Sequence, residues 1–233
     1  MVTHIITLGG GGFSMEPDNL ALDRYILAQT GKDRPRVCFV PTASGDAELY
    51  IMKFYVAFAE LDARPSHLSL FRPPTTDLES FVLEKDVIYV GGGNTRNLVV
   101  LWREWGLDAI LKKACENGVI LAGISAGAIC WFEQGVTDSL GPLTAMSFLG
   151  FLPGSCNPHY NGEANRRPDY HRLLKAGEIK PGFGIEDSAA LHFVDGQLHE
   201  VVSSAPDATA YWVECSGDEV VERRLDHRYL GRD

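Results

Sequence analysis

Cysteine is scarce and unpatterned in this chain. There are five, an odd number with no C-x-x-C spacing, which argues against a disulfide framework and against a zinc ribbon. Cations are short as well. Twenty-one Lys plus Arg stand against 31 Asp plus Glu, a formal net charge of −10, so the clustered positive charge that grips a phosphate backbone is missing and no nucleic-acid partner is expected. Long apolar runs are absent. Stretches such as Val37–Val40 fall far short of the roughly 20 residues needed to cross a bilayer, and no membrane association is expected. The opening MVTHIITLGGGGF lacks the basic segment and cleavage site of a secretion signal and reads as a first strand, which leads to the expectation of a cytoplasmic protein. No internal repeat, low-complexity tract or Ser/Gly-rich linker is visible, so residues 1–233 are expected to form a single α/β domain. What is present, 233 residues of which 45% are hydrophobic, is ample for a sizeable core.

Up to about Gly135 the chain alternates short apolar runs with longer segments of helical spacing. His4–Leu8, Val37–Val40, His67–Leu70, Val87–Val90 and Val119–Ala122 read as strands. Asp18–Thr30, Glu48–Leu61, Thr95–Trp105 and Leu107–Asn117 read as helices. Near-continuous apolar strands joined through helices imply a doubly wound, mostly parallel sheet sandwiched by helices. In the last third, a helix-like stretch near Tyr170–Lys175 precedes two alternating runs, Leu191–Val194 and Gln197–Val202. The Asp195-Gly196 pair between them is a strong signal for a tight hairpin turn. These arms are expected to add antiparallel strands to the sheet edge, where two copies of the chain could also pair.

The sharpest local motif is Gly123-Ile124-Ser125-Ala126-Gly127, placed between a strand and a helix. This is the G-x-S-x-G arrangement of a nucleophile elbow, in which small neighbours let a strained serine project above the sheet edge. A small-residue turn packing helix against strand is the plain alternative. A second motif, Gly91-Gly92-Gly93-Asn94-Thr95, follows the strand Val87–Val90. There the Gly93 N–H could join that of Ala126 in binding an oxyanion. The alternatives are a phosphate cradle, whose fingerprints are not matched, and a turn capped by Asn94 or Thr95. A third glycine run, Gly9–Gly12, does not have dinucleotide-loop spacing and reads as close backbone approach to the same cleft, or as a tight turn.

A nucleophilic serine needs a base, and the base needs an orienting carboxylate. Of seven histidines, His159 in Cys156-Asn157-Pro158-His159-Tyr160 is the best placed, because Pro158 stiffens its segment. The carboxylate candidates are Asp138 in Gly135–Ser139, and Glu186 with Asp187 in Gly182–Asp187. No HExxH is present and the histidines have no tight carboxylate partner pattern, so no metal is expected. Cys130 and Cys156 lie near the motif, but neither sits on an elbow.

Taken together, Gly91–Thr95, Gly123–Ala128, Val136–Asp138, Asn157–Tyr160 and Gly184–Glu186 resemble the ordered motifs of the peptidase E family of serine peptidases. The resemblance runs over roughly residues 5–215. That family is similar in fold to class I glutamine amidotransferases, with serine in place of cysteine at the elbow. It includes aspartyl dipeptidases, and cyanophycinases are relatives. The resemblance implies Ser125 as nucleophile, His159 as general base and Glu186 as third member, with Asp138 as second choice. It also implies Gly93 and Ala126 as oxyanion donors, Asn94 and Thr95 near the substrate, and Arg166 recognising an acidic side chain. The expected activity is hydrolysis of short peptides, such as dipeptides with N-terminal Asp, without a cofactor. A cyanophycinase-like amide hydrolase and a non-catalytic ligand-binding module are the competing readings.

Overall fold

The computed structural model describes residues 1–231. Its strands along the chain are β1 (His4–Leu8), β2 (Arg36–Val40), β3 (Arg64–His67), β4 (Val87–Val90), β5 (Ile120–Ile124), β6 (Phe132–Thr137), β7 (Thr144–Ser147), β8 (Leu152–Asn157), β9 (Gly182–Ile185), β10 (Ala189–Val194), β11 (Gln197–Ser203), β12 (Ala210–Ser216), β13 (Glu219–Arg224) and β14 (Arg228–Tyr229). The helices are α1 (Gly12–Met15), α2 (Ala21–Ala28), α3 (Glu48–Glu60), α4 (Leu78–Leu83), α5 (Thr95–Glu104), α6 (Leu107–Glu116), α7 (Ala126–Ile129) and α8 (Arg166–Lys175).

The main sheet has the order β14-β11-β10-β1-β5-β4-β2-β3. The pairs β1–β5, β5–β4, β4–β2 and β2–β3 are parallel, while β10 and β11 add antiparallel strands beyond β1. This is the doubly wound sheet with antiparallel C-terminal strands that the hydrophobic pattern implies. Alternation along the strands divides the core. Cys38, Val40, Ile88, Val90 and Leu121 meet Leu98, Trp102, Leu107 and Leu111 of α5 and α6 on one face. Val37, Phe39, Val87, Tyr89, Ile120 and Ala122 meet Leu22, Ile26, Phe54 and Phe58 of α2 and α3 on the other. In α5 the buried set Thr95, Leu98, Val99 and Trp102 recurs at helical spacing, and the Asn94 side chain caps its start by accepting from the Asn97 N–H. Asp195 and Gly196 both take positive φ, 49° and 76°, in the turn between β10 and β11.

Two features depart from the sequence expectation. The third strand spans Arg64–His67, not His67–Leu70. Parallel register with β2 makes Phe39–His67 the last pair, and Leu68 and Leu70 are buried past the strand end. A second, six-stranded sheet in the order β13-β12-β9-β8-β6-β7 was not anticipated. Its segments, such as FEQGVT and LPGSCN, carry glycine and polar residues in place of apolar runs, so no period-2 signal marks them. Helix α8 packs on this sheet over Val136, Tyr160, Tyr170, Leu173, Leu174 and Val213. Helix α7, directly after β5 and the serine motif, touches β1, β4 and β5 of the main sheet and β6 and β8 of the second.

Candidate active site

Strand β5 runs directly into Ser125, whose backbone adopts φ 55° and ψ −113°. A non-glycine residue held there stores strain on the order of 1–3 kcal/mol. The flanking glycines are sterically required. A Cβ on Gly123 would overlap the Gly127 carbonyl, and one on Gly127 would overlap the Val90 carbonyl of the neighbouring strand. Ser125 therefore sits on a tight strand-to-helix elbow with its side chain projecting from the sheet edge.

His159 meets it there. The His159 Nε2 lies 3.0 Å from Ser125 Oγ, and Nδ1 lies 2.7 Å from Asp187 Oδ1. With the Nδ1 proton donated to Asp187, Nε2 is left free to accept the serine hydroxyl proton. The imidazole is anchored through its backbone: the His159 N–H donates to the Gly9 carbonyl and the Tyr160 N–H to the Ile185 carbonyl. Asp187 is held in turn by the Asn161 side chain, which accepts its N–H at 2.9 Å. The next residue, Ser188, donates its hydroxyl to Glu16 at 2.5 Å. Among the described residues five non-glycines have positive φ, and three of them, Ser125, His159 and Ser188, are in or beside this constellation. Concentration of backbone strain at one place is the pattern of a working site.

The third member of the arrangement is thus Asp187, and neither Glu186 nor Asp138 occupies that place. Glu186 is buried on the opposite side of the β9–β10 turn, where its carboxylate accepts the Thr209 N–H at 2.9 Å. The Asp138 side chain is 63% exposed and stands 3.9 Å from the Arg166 guanidinium. Successive residues at a turn point in different directions, and which one meets His159 depends on where the glycines leave room. A Cβ on Gly10 or on Gly162 would collide with the Asp187 carboxylate. The Gly9–Gly12 run is therefore a bed for this side chain and for the backbone before it, as its reading as close backbone approach anticipated.

Gly93 has φ 136° and lies so close to Ala43 that a Cβ would strike its carbonyl. The neighbouring amides are engaged, Gly91 N–H with the Val40 carbonyl, Gly92 N–H with the Tyr50 hydroxyl and Asn94 N–H with the Ala43 carbonyl. Among the described residues the Gly93 and Ala126 N–H groups meet no protein acceptor. A Cβ on Gly92 would come 3.3 Å from Ser125 Cβ, so this loop and the elbow are in contact. Two unengaged amides next to a projecting hydroxyl are the donor set an oxyanion needs.

The residues assigned from sequence to the substrate have other employment. Asn94 caps α5 and donates its amide to the Ser139 carbonyl at 3.1 Å. Thr95 is buried against Thr137. The Arg166 side chain is only 4% exposed; its Nε donates to Glu163 at 2.6 Å and its Nη1 to the Val136 carbonyl at 3.0 Å. Cys130 and Cys156 are fully buried, and burial pushes both thiols up, so neither supplies a thiolate. No group of three or more His, Cys, Asp or Glu among the described residues is arranged to hold a metal ion.

The chain is similar to known proteins over most of its length. Residues 5–201 match the family described as Peptidase family S51. A Bacillus subtilis protein named "Uncharacterized peptidase YgaJ" is 62% identical over 228 residues, covering 98% of this chain and 99% of that protein. Peptidase E of Salmonella arizonae is 29% identical over 157 residues, 63% of this chain and 66% of that protein. The crystal structure of a peptidase from an acI-B1 Actinobacterium superposes with a TM-score of 0.72 at 18% identity over 97% of this chain and 95% of that one, a likeness in fold.

Proposed function

The chain belongs to peptidase family S51, a peptidase by that membership, and we propose that it is a serine-type exopeptidase that cleaves short peptides through Ser125, His159 and Asp187. The observation that carries this reading is the continuous line from the Ser125 hydroxyl through both nitrogens of His159 to the Asp187 carboxylate. In this mechanism Ser125 Oγ attacks the scissile carbonyl while His159 Nε2 takes its proton. Asp187 holds the imidazole in the tautomer that accepts at Nε2 and stabilises the imidazolium that forms. The Gly93 and Ala126 amides bind the oxyanion, and loss of one such donor costs on the order of 3 kcal/mol. His159 then protonates the leaving amine, and water releases the acyl group by the same steps in reverse. No helix among the described residues is long and apolar enough to cross a membrane. We place the enzyme in the cytoplasm, in keeping with five unpaired cysteines.

The preference for N-terminal Asp needs a free cation beside the nucleophile, and Arg166 is fully engaged with Glu163, the Val136 carbonyl and Asp138. The reading therefore includes Asp-X dipeptides as substrates without an Asp requirement. Assay of the purified enzyme on Asp-Leu, Ala-Leu and a β-linked Asp-Arg dipeptide is expected to give cleavage of the first two within about tenfold of each other, the scale of pocket discrimination without a dedicated ion pair. Ser125→Ala abolishes it and also abolishes labelling by a fluorophosphonate. Wild-type turnover by Ser125→Ala would overturn the nucleophile, and cleavage of the β-linked dipeptide alone would make the enzyme an isopeptide hydrolase.

A further inference from the structure

The hairpin formed by β12 and β13 starts at Ala210, beyond the region matched to the family, which ends at residue 201. It bears directly on the active centre from two sides. Strand β12 pairs with β9, Ala210 opposite Ile185 and Tyr211 opposite Gly184, so it lies along the strand that delivers Asp187. From β13, Glu222 reaches across to the residue that follows His159: the Tyr160 hydroxyl donates to Glu222 Oε1. The same oxygen accepts from His171 Nε2 at 2.6 Å and from Arg167 Nε at 2.8 Å, and Arg167 makes a second bond to Oε2. The Arg167 guanidinium carbon lies 5.1 Å from the Tyr160 ring centre and 5.0 Å from that of Tyr211. Burial would raise the Glu222 pKa, but the bonds from Arg167, Tyr160 and His171 outweigh it and hold the carboxyl at about 2, ionised at any working pH.

The Tyr160 ring is almost wholly buried. It lies flat on Gly184, where a Cβ would come within 2.8 Å of three ring carbons. Tyr160 is therefore fixed at its N–H by Ile185, at its ring by Gly184 and at its hydroxyl by Glu222. His159, one residue earlier, has a strained φ of 54° and needs an external restraint to persist in that conformation. We propose that Glu222 is a positioning residue for His159, acting through Tyr160 to hold the imidazole between Ser125 and Asp187. The inference rests on reading those three residues as the reacting triad.

Three variants test it: Glu222→Leu, which leaves no acceptor for the Tyr160 hydroxyl, Tyr160→Phe and the double variant, each first shown to be folded by circular dichroism. The expected result is a fall in kcat, and in the rate of Ser125 labelling by a fluorophosphonate, on the order of tenfold for each single variant with KM little changed, since small misplacement of a reacting group acts on the chemical step. The double variant is expected to be no worse than either single, because both remove the same link. Single-variant rates within twofold of wild type, or losses that multiply in the double, overturn the proposal. Should Glu222→Leu fail to fold with Arg167 left unpaired, Tyr160→Phe keeps that ion pair and carries the test alone. A readout independent of turnover is the low-field proton signal of the His159–Asp187 hydrogen bond. It is expected to broaden in Tyr160→Phe through faster exchange with water, and an unchanged signal counts against the proposal. A wild-type enzyme that neither labels nor cleaves peptides would sink the functional reading, while this signal would still test the positioning.

Discussion

The Asp187 carboxylate reaches His159 only because residues 10 and 162 have no side chains, since a Cβ at either would occupy the space of its oxygens. With that room it accepts from Nδ1 at 2.7 Å, which fixes the tautomer able to take a proton at Nε2. Asp187→Asn keeps the shape and loses this selection, because an amide can present N–H to Nδ1 and turn the imidazole the wrong way round. Its kcat is expected to fall on the order of 10³–10⁴-fold, the scale seen when an orienting aspartate in a serine triad is replaced by asparagine. Glu186→Gln is the matched control. Its carbonyl can still accept the Thr209 N–H, and its activity is expected to stay within about threefold of wild type. Steady-state kinetics of the two variants side by side decides which carboxylate serves His159, and the reverse order of effects would restore Glu186 to the triad.

At the scale of elements, the serine elbow is where local sequence and tertiary structure agree most closely. A short apolar strand, small residues on both sides of Ser125 and a helix immediately after are all visible in Ile120–Ile129, and their packing reason is a helix pressed onto two strands. Gly127→Ala should therefore act on stability as well as catalysis. Its Cβ has nowhere to go except into the Val90 carbonyl, and overpacking of this kind costs about 1–3 kcal/mol. A melting temperature lowered by a few degrees is expected, at about 2–4 °C per kcal/mol for a chain of this size; an unchanged value would mean that the elbow has slack. His159 was legible for a related reason, since Pro158 marks a stiffened segment after the elbow. The carboxylate was harder, because Glu186 and Asp187 differ only in which way a turn aims them, and that is set by Gly10 and Gly162 from distant parts of the chain. The second sheet was invisible because its strands are held by pairing and by α8, not by runs of apolar residues. Asn94 was legible as a cap, one of the alternatives for that loop: its side chain accepts from the Asn97 N–H and donates to the Ser139 carbonyl.

For the molecule as a whole, two buried groups make folding stability depend on pH between about 4 and 7, and they pull in opposite directions. His192 is buried, and burial together with His4 and His199 lowers its pKa to about 4. Between that value and the ordinary 6.5 the unfolded chain holds a proton that the folded chain does not, so this contribution is complete above pH 6.5 and is lost as pH falls toward 4. Asp23 lies beneath the glycine run, with Oδ2 accepting the Phe13 N–H at 2.8 Å, and it is wholly buried. Burial pushes its carboxyl up to about 7 from an ordinary 3.8, although the Phe13 N–H works the other way. Here the folded chain keeps a proton that the unfolded chain has released, so stability falls as pH rises through this window, by up to about 4 kcal/mol once Asp23 is ionised. Asp23→Asn is neutral at every pH and its carbonyl can still accept from Phe13. Its melting temperature is expected to exceed that of wild type at pH 8, by several degrees if even half of that cost is relieved. Below about pH 3, where Asp23 is protonated in the folded and the unfolded chain alike, the two curves should meet. A gap of equal size at both pH values would mean that the amide stabilises by packing, and that no charge is held under the Gly9–Gly12 loop on which Asp187 rests.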